Sequence, residues 1–116
     1  MASIGTYNFP NPHVKGDKFL GGQYTLSLNG SVKDLTSATA RCMFRRGSKT
    51  GKVVKSLTVG SGLTLTDASN GVITIDAFVM DFRPDTYFYD IEITDSAGVI
   101  KTFVEGTIVV MQDTSY

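Results

Sequence analysis

The sequence predicts a single all-β domain, a two-layer antiparallel sandwich of about seven strands, and three observations support this prediction. Apolar residues recur at every second position in short runs, which is the periodicity of strands rather than helices. Turn signals rich in glycine, which accounts for 12 of the 116 residues, separate these runs. No segment has the length and period of a crossover helix, which disfavours an α/β arrangement. A small open barrel is the alternative all-β architecture.

The predicted strands lie at residues 17–29, 39–46, 53–59, 63–65, 72–75, 86–94 and 99–111. Gly21-Gly22 interrupts the first of them and predicts a bulge or bend. In the second, Ala40, Cys42 and Phe44 alternate with positions 41, 43 and 45, two of which are arginines, and this indicates one buried and one wet face. Asn70-Gly71 is a hairpin turn signal between two brief strands. Residues 76–83 are compatible with either a strand or one helical turn.

The last two predicted strands form an antiparallel hairpin around the turn at residues 95–98. Glycine inside a long strand usually marks a bulge, so Glu105-Gly106 predicts one in the return strand. Residues 85–89 have the form of a tyrosine corner, in which a tyrosine near the start of a late strand donates its hydroxyl to upstream backbone. This feature favours an immunoglobulin-like sandwich, here without a disulfide because the chain has one cysteine.

We divide the chain into an extended N-terminal arm, residues 1–15, and the sandwich domain, residues 16–116. The arm contains Pro10 and Pro12, neither of which can donate to a central strand ladder. Tyr7 and Phe9 make it too apolar for a purely solvated tail. We therefore expect these four residues to contact a neighbouring subunit.

The composition argues against several functional classes. Lysines and arginines number 11 and aspartates and glutamates also 11, so no overall field attracts nucleic acid or an anionic membrane. The N-terminal residues lack a secretion signal, and no apolar run is long enough to span a bilayer.

The candidate catalytic side chains are isolated. His13 is the only histidine, and it has no neighbouring carboxylate or cysteine. Cys42 is expected to be buried and inert. Turn chemistry and strand alternation account for the carboxylates and the short glycine loops. We expect a protein that is not an enzyme and binds no cofactor or metal.

Six basic residues without an intervening acidic one form the most biased surface feature. They are Arg41, Arg45, Arg46, Lys49, Lys52 and Lys55. Single-strand nucleic-acid sites combine such charge with stacking aromatics, and Phe44 is the only aromatic in this segment. We therefore interpret the cluster as a solvated face or a protein contact.

The order of several motifs resembles a family of small bacteriophage structural proteins, including the immunoglobulin-like N-terminal modules of upper-baseplate and receptor-binding-type proteins. The motifs are Gly16-Asp17, the segment 33–41 leading to Phe44-Arg45-Arg46, and the segments 71–75, 84–95 and 104–110. Together they cover roughly residues 16–112 and leave the arm outside.

The resemblance implies a non-enzymatic structural protein of a bacteriophage virion, located in the tail, baseplate, neck or capsid. It would act through contacts with other virion proteins in a symmetric homo-oligomer. The alternative is a carbohydrate-binding module for host attachment, with Phe88 as an exposed aromatic and Phe103 as a second one.

Overall fold

The computed structural model describes residues 5–9, 13–28 and 30–112, and within them the regular secondary structure is almost entirely β-strand. The strands are β1 Gly5–Thr6, β2 His13–Val14, β3 Lys18–Phe19, β4 Gly22–Thr25, β5 Ser27–Leu28, β6 Ser31–Val32, β7 Thr39–Arg46, β8 Val53–Val59, β9 Gly62–Asp67, β10 Val72–Ile75, β11 Phe78–Val79, β12 Asp85–Thr94 and β13 Ile100–Met111. One 3-10 turn, Ala68–Asn70, joins β9 to β10.

Most of these strands belong to one curled sheet with the order β1-β13-β12-β7-β8-β9-β10-β4, in which β2 also pairs with β13. The path bends between β8 and β9, which run parallel and meet at only two positions. The far end of the sheet then folds across the first strands, since the hydroxyl of Tyr24 in β4 lies 3.1 Å from that of Tyr89 in β12. The architecture is the predicted β-sandwich.

The long predicted strands are confirmed with only small changes in their bounds. β7 and β8 pair antiparallel, β7 also pairs with β12, and β12 with β13 forms the predicted hairpin. The turn between β9 and β10 ends at Gly71, whose φ of 73° is left-handed and therefore suits glycine.

The short strands differ from the prediction. The first predicted strand is divided into β3, β4 and β5 around Gly21, which has a φ of 82°. Within residues 76–83 only β11 is a strand, and it pairs with β3 outside the main sheet. β6 was not predicted; it pairs with β5 in a separate small hairpin.

The bulge in β13 lies at Phe103, so its prediction at Gly106 is wrong. Ile91 is opposite Val104, but Glu92 is opposite Thr102, which leaves Phe103 as the extra residue. The extra residue shifts the alternation of inward-facing and outward-facing side chains, so two consecutive residues, Phe103 and Val104, are both buried. The burial of Phe103 also removes it as an exposed aromatic.

The core is strongly aromatic. Phe44 is fully buried, stacks on Tyr89 with ring centroids 5.8 Å apart, and lies near the rings of Phe78 and Phe82. The predicted tyrosine corner is present, because the Tyr87 hydroxyl donates to the main-chain oxygen of Arg83 at 2.6 Å. These contacts fix the inner face of β12 and leave its outer face half-buried.

Candidate partner-binding site

The N-terminal arm lies along the edge of β13 and extends the sheet with parallel pairing. Gly5 is opposite Val104 and His13 is opposite Val110, so eight steps along the arm cover six steps along β13. The register of the arm on β13 therefore differs by two residues between these two paired segments. Further main-chain hydrogen bonds join Tyr7 N to Glu105 O (3.0 Å), Phe9 N to Thr107 O (2.9 Å) and Lys15 N to Met111 O (2.9 Å).

The middle of β13 is shaped to receive this arm. A side chain at Gly106 would overlap the carbonyl oxygen of Tyr7, so glycine is what permits the close approach of the two backbones. The same carbonyl accepts a hydrogen bond of 2.8 Å from the Tyr89 hydroxyl. Asn8 Oδ1 accepts from the backbone N–H and the hydroxyl of Thr107, at 3.0 and 3.1 Å. We call these features of Gly106, Tyr89 and Thr107 the arm seat.

Sequence reasoning did not identify the arm seat. From sequence alone, the Glu105-Gly106 pair predicts a bulge and not a seat for the arm. The signal that points to the seat is a glycine at a strand position where the ladder is regular, since Gly106 pairs directly with Tyr89.

The predicted assembly residues of the arm pack against their own domain. Phe9 is half-buried, with its ring 5.3 Å from that of Phe19 and 5.6 Å from that of Tyr89. Tyr7 contacts Phe9 edge-to-face and stays 46% exposed. Pro10 and Pro12 lie outside the described residues. The arm side chains that we expected to contact a neighbouring subunit thus pack on the surface beside β13 in their own chain.

A groove of about 280 Å³ separates the arm from β4, the last strand at the opposite end of the sheet path. Tyr7 and Phe9 line one side and residues 21–24 the other. The rings of Tyr7 and Tyr24 are 6.3 Å apart. The two ends of the curled sheet therefore face each other across an aromatic cleft.

The six basic residues are spread over the surface and largely matched. Three of them form ion pairs: Arg41 with Glu92 (2.8 Å), Arg46 with Asp85 (3.4 Å) and Lys49 with Glu105 (3.0 Å). Arg45 donates to the Gly51 carbonyl at 3.2 Å, Lys55 lies 5.0 Å from the centre of the Phe78 ring, and Lys52 is exposed. The cluster is therefore a polar surface in which carboxylates neutralise part of the positive charge, and not a basic patch.

Phe88 was predicted to be exposed, but it is half-buried on the outer face of β12. Its register partners Arg45 and Thr107 flank it on the neighbouring strands. Phe88 lines a pocket of about 120 Å³ together with Asn8, Lys49, Asp90, Glu105 and Thr107. The pocket adjoins the arm seat, so the arm, the basic loop and Phe88 meet at one place.

Asp90 is the perturbed carboxylate of this pocket. Partial burial raises the pKa of its side chain, and the negative charge of Glu92 raises this pKa further. The nearby guanidinium groups of Arg45 and Arg41 act in the opposite direction without cancelling the shift. The ionised form of Asp90 is thus disfavoured in the folded protein.

Asp90→Asn is expected to increase the free energy of unfolding at pH 7 and to change it little at pH 3. A folded-state pKa above the ordinary value of 3.8 means that the folded state binds the proton more tightly than the unfolded state does. The stability of the protein therefore falls as the pH rises from the unfolded-state pKa through the folded-state pKa. Urea unfolding at both pH values measures the difference.

Asp95→Asn is the matched control with the opposite sign. The Val99 amide and then the Ala97 amide lower the pKa of Asp95, so its substitution should reduce stability at pH 7. An equal gain for Asp90→Asn at both pH values would contradict the assignment.

The other candidate reactive groups lie apart from the arm seat and from each other. His13 Nε2 donates to the Asp17 carbonyl at 2.9 Å. Cys42 is buried as predicted, and burial raises the pKa of its thiol. Across the described residues, His, Cys, Asp and Glu side chains form no group of three or more that could hold a metal ion.

The described part of the chain also contains no helix with the length and apolarity needed to cross a membrane.

Neither the family models nor the curated proteins compared with the sequence give a match. Among solved structures, the chain is similar to the crystal structure of CopC from Methylosinus trichosporium OB3b. The two are 14% identical with a TM-score of 0.49, and the match covers 90% of this chain and 88% of that one. A likeness at this level transfers no function.

The predicted role as a bacteriophage virion protein is withdrawn: the solved structure that resembles the chain is CopC, which is not a phage protein. The resemblance of the motifs to the phage family is not itself tested by these comparisons. The carbohydrate-binding alternative is withdrawn with the virion role, since Phe103 is buried and Phe88 is half-buried.

Proposed function

We propose that the protein is a non-catalytic binding domain that accepts an extended polypeptide strand on the edge of β13. The observation that carries this proposal is the arm itself, which is already seated there as an added parallel strand. Exposed sheet edges bind extended peptides through main-chain hydrogen bonds, and pockets for alternate side chains supply the specificity.

The arm indicates what kind of segment this edge recognises. Main-chain recognition comes from the carbonyls of Glu105 and Thr107, which accept the amides of residues two apart. Side-chain recognition comes from the aromatic surface of Phe19 and Tyr89, on which the Phe9 ring rests. The expected ligand is therefore an extended segment with an Asn between two aromatic residues, Tyr-Asn-Phe in this chain.

A peptide of residues 1–15 should bind the full-length variant Tyr7→Ala/Phe9→Ala, whose own arm has lost the ring contacts that hold it. We expect saturable binding with one peptide per chain, because the weakened arm leaves the seat open to a competitor. Fluorescence anisotropy of the labelled peptide measures the affinity. Wild-type protein should bind the same peptide at least about tenfold more weakly, because its tethered arm competes at millimolar effective concentration.

Two controls restrict the result to the arm seat. A scrambled peptide of the same composition should not bind. Adding Gly106→Val to the variant should abolish binding, because the new side chain fills the space of the Tyr7 carbonyl. Equal binding of the scrambled peptide, or binding unaffected by Gly106→Val, would reject strand addition at β13.

A further inference from the structure

We infer that the strand accepted by β13 is the N-terminal arm of a second copy of this chain, so that two molecules exchange arms. This inference rests on the function proposed above, and it adds the identity of the partner. The protein would be a closed monomer when dilute and an arm-exchanged dimer when concentrated.

The contacts of the closed monomer are the first argument, because an exchanged arm would make the same ones. The main-chain bonds to Glu105 and Thr107, the hydroxyl of Tyr89 and the space over Gly106 do not depend on which molecule supplies the arm. In such exchanges only the hinge differs between the two states, which makes them a low-cost route to dimers.

The hinge is the turn at Gly16, which folds the arm back onto its own domain. Gly16 has a φ of 90°, its N–H donates to the Met80 carbonyl at 2.9 Å, and the Asp17 N–H donates to the Val14 carbonyl at 3.1 Å. An added side chain at Gly16 would meet no atom within 4 Å, so the turn constrains position 16 by backbone conformation alone. Opening the turn releases that constraint.

Gly16→Val should therefore shift the equilibrium toward the dimer. Valine disfavours the left-handed backbone of the closed turn, whereas an open hinge allows it an extended conformation. Because each exchanged dimer opens two such turns, we expect dimer at a protein concentration about a hundredfold lower than for wild type. Light scattering coupled to size-exclusion chromatography over a concentration series gives the masses, and Gly16→Ala should shift the equilibrium in the same direction.

Gly98→Val is the matched control. Gly98 has a φ of 85° and likewise no atom within 4 Å of an added side chain, but it lies in the turn between β12 and β13, away from the hinge. It should carry a similar backbone penalty and leave the monomer–dimer equilibrium as in wild type. Dimerisation of Gly98→Val equal to that of Gly16→Val would overturn the hinge assignment.

The double variant Gly16→Val/Gly106→Val tests whether the dimer uses the arm seat. Closing the seat should return the protein to a monomer with a released arm, whereas a persisting dimer would show that another surface associates and would overturn the inference. If Gly16→Val and Gly16→Ala stay monomeric at every concentration while the peptide of residues 1–15 binds, the second copy is not the partner. Strand addition would then stand on its own.

Discussion

Phe44→Ala is expected to lower the free energy of unfolding by about 3–5 kcal/mol, the range observed when a buried phenylalanine is truncated to alanine. Phe44 is fully buried and lies between rings from three other parts of the chain, Phe19, Phe78 and Tyr89. Its removal takes away apolar contacts and leaves a cavity that rigid neighbouring rings fill poorly. Urea titration followed by circular dichroism measures the loss.

Leu20→Ala is the control for this substitution. Leu20 is 82% exposed, so its truncation should stay within about 0.5 kcal/mol of wild type. A loss below about 1 kcal/mol for Phe44→Ala would contradict the aromatic core described above, because truncation of a fully buried phenylalanine costs about 3–5 kcal/mol.

Gly106→Val is expected to release the arm while leaving the sandwich folded. Valine suits the strand at position 106, but its side chain cannot coexist with the Tyr7 carbonyl in the seat. The amides of Tyr7 and Phe9, which donate to β13 in the wild type, should then exchange with solvent at rates close to those of an unstructured peptide. Hydrogen exchange read by NMR resolves these two amides.

The hairpin amides serve as the internal reference for this experiment. Amides of Tyr89 and Ile91, in the centre of the sheet, should keep their protection in Gly106→Val. Continued protection of Tyr7 and Phe9 would mean that the arm can dock without the space at residue 106. Loss of protection throughout β12 would mean that Gly106 serves the sandwich itself rather than the arm.

The sequence was sufficient for the long strands of the sheet because the apolar alternation of each one is visible in its own residues. Alternation over residues 39–46 and 86–94 reflects local burial, and these strands fall where the pattern predicts them. The Tyr87 corner could likewise be predicted, since donor and acceptor are four residues apart.

The bulge and the arm could not be predicted in the same way. The reason for Gly106 is the backbone of Tyr7, about a hundred positions earlier in the chain, and no local pattern contains that contact. Phe103, the actual bulge residue, looks like any apolar strand position until its opposite strand is known. Local periodicity reports which face a residue occupies and not what approaches that face.

The basic cluster illustrates the same limit for the site. Its residues are adjacent in sequence, whereas the carboxylates of Asp85, Glu92 and Glu105 come from β12 and β13, so only the register brings the two signs together. The segment carries only positive charges in the sequence, but in the folded structure carboxylates pair with three of its six cations.

That balance has a consequence for the kinetics of association. Pairing of Arg41, Arg46 and Lys49 with carboxylates leaves this surface with mostly short-range fields, which salt at physiological ionic strength screens within about 8 Å. A strand that approaches the neighbouring β13 edge would receive little electrostatic steering, and its encounter rate would lie near the 10⁵–10⁶ M⁻¹s⁻¹ typical of roughly neutral partners. Differences in affinity among such strands would then lie mainly in their dissociation rates.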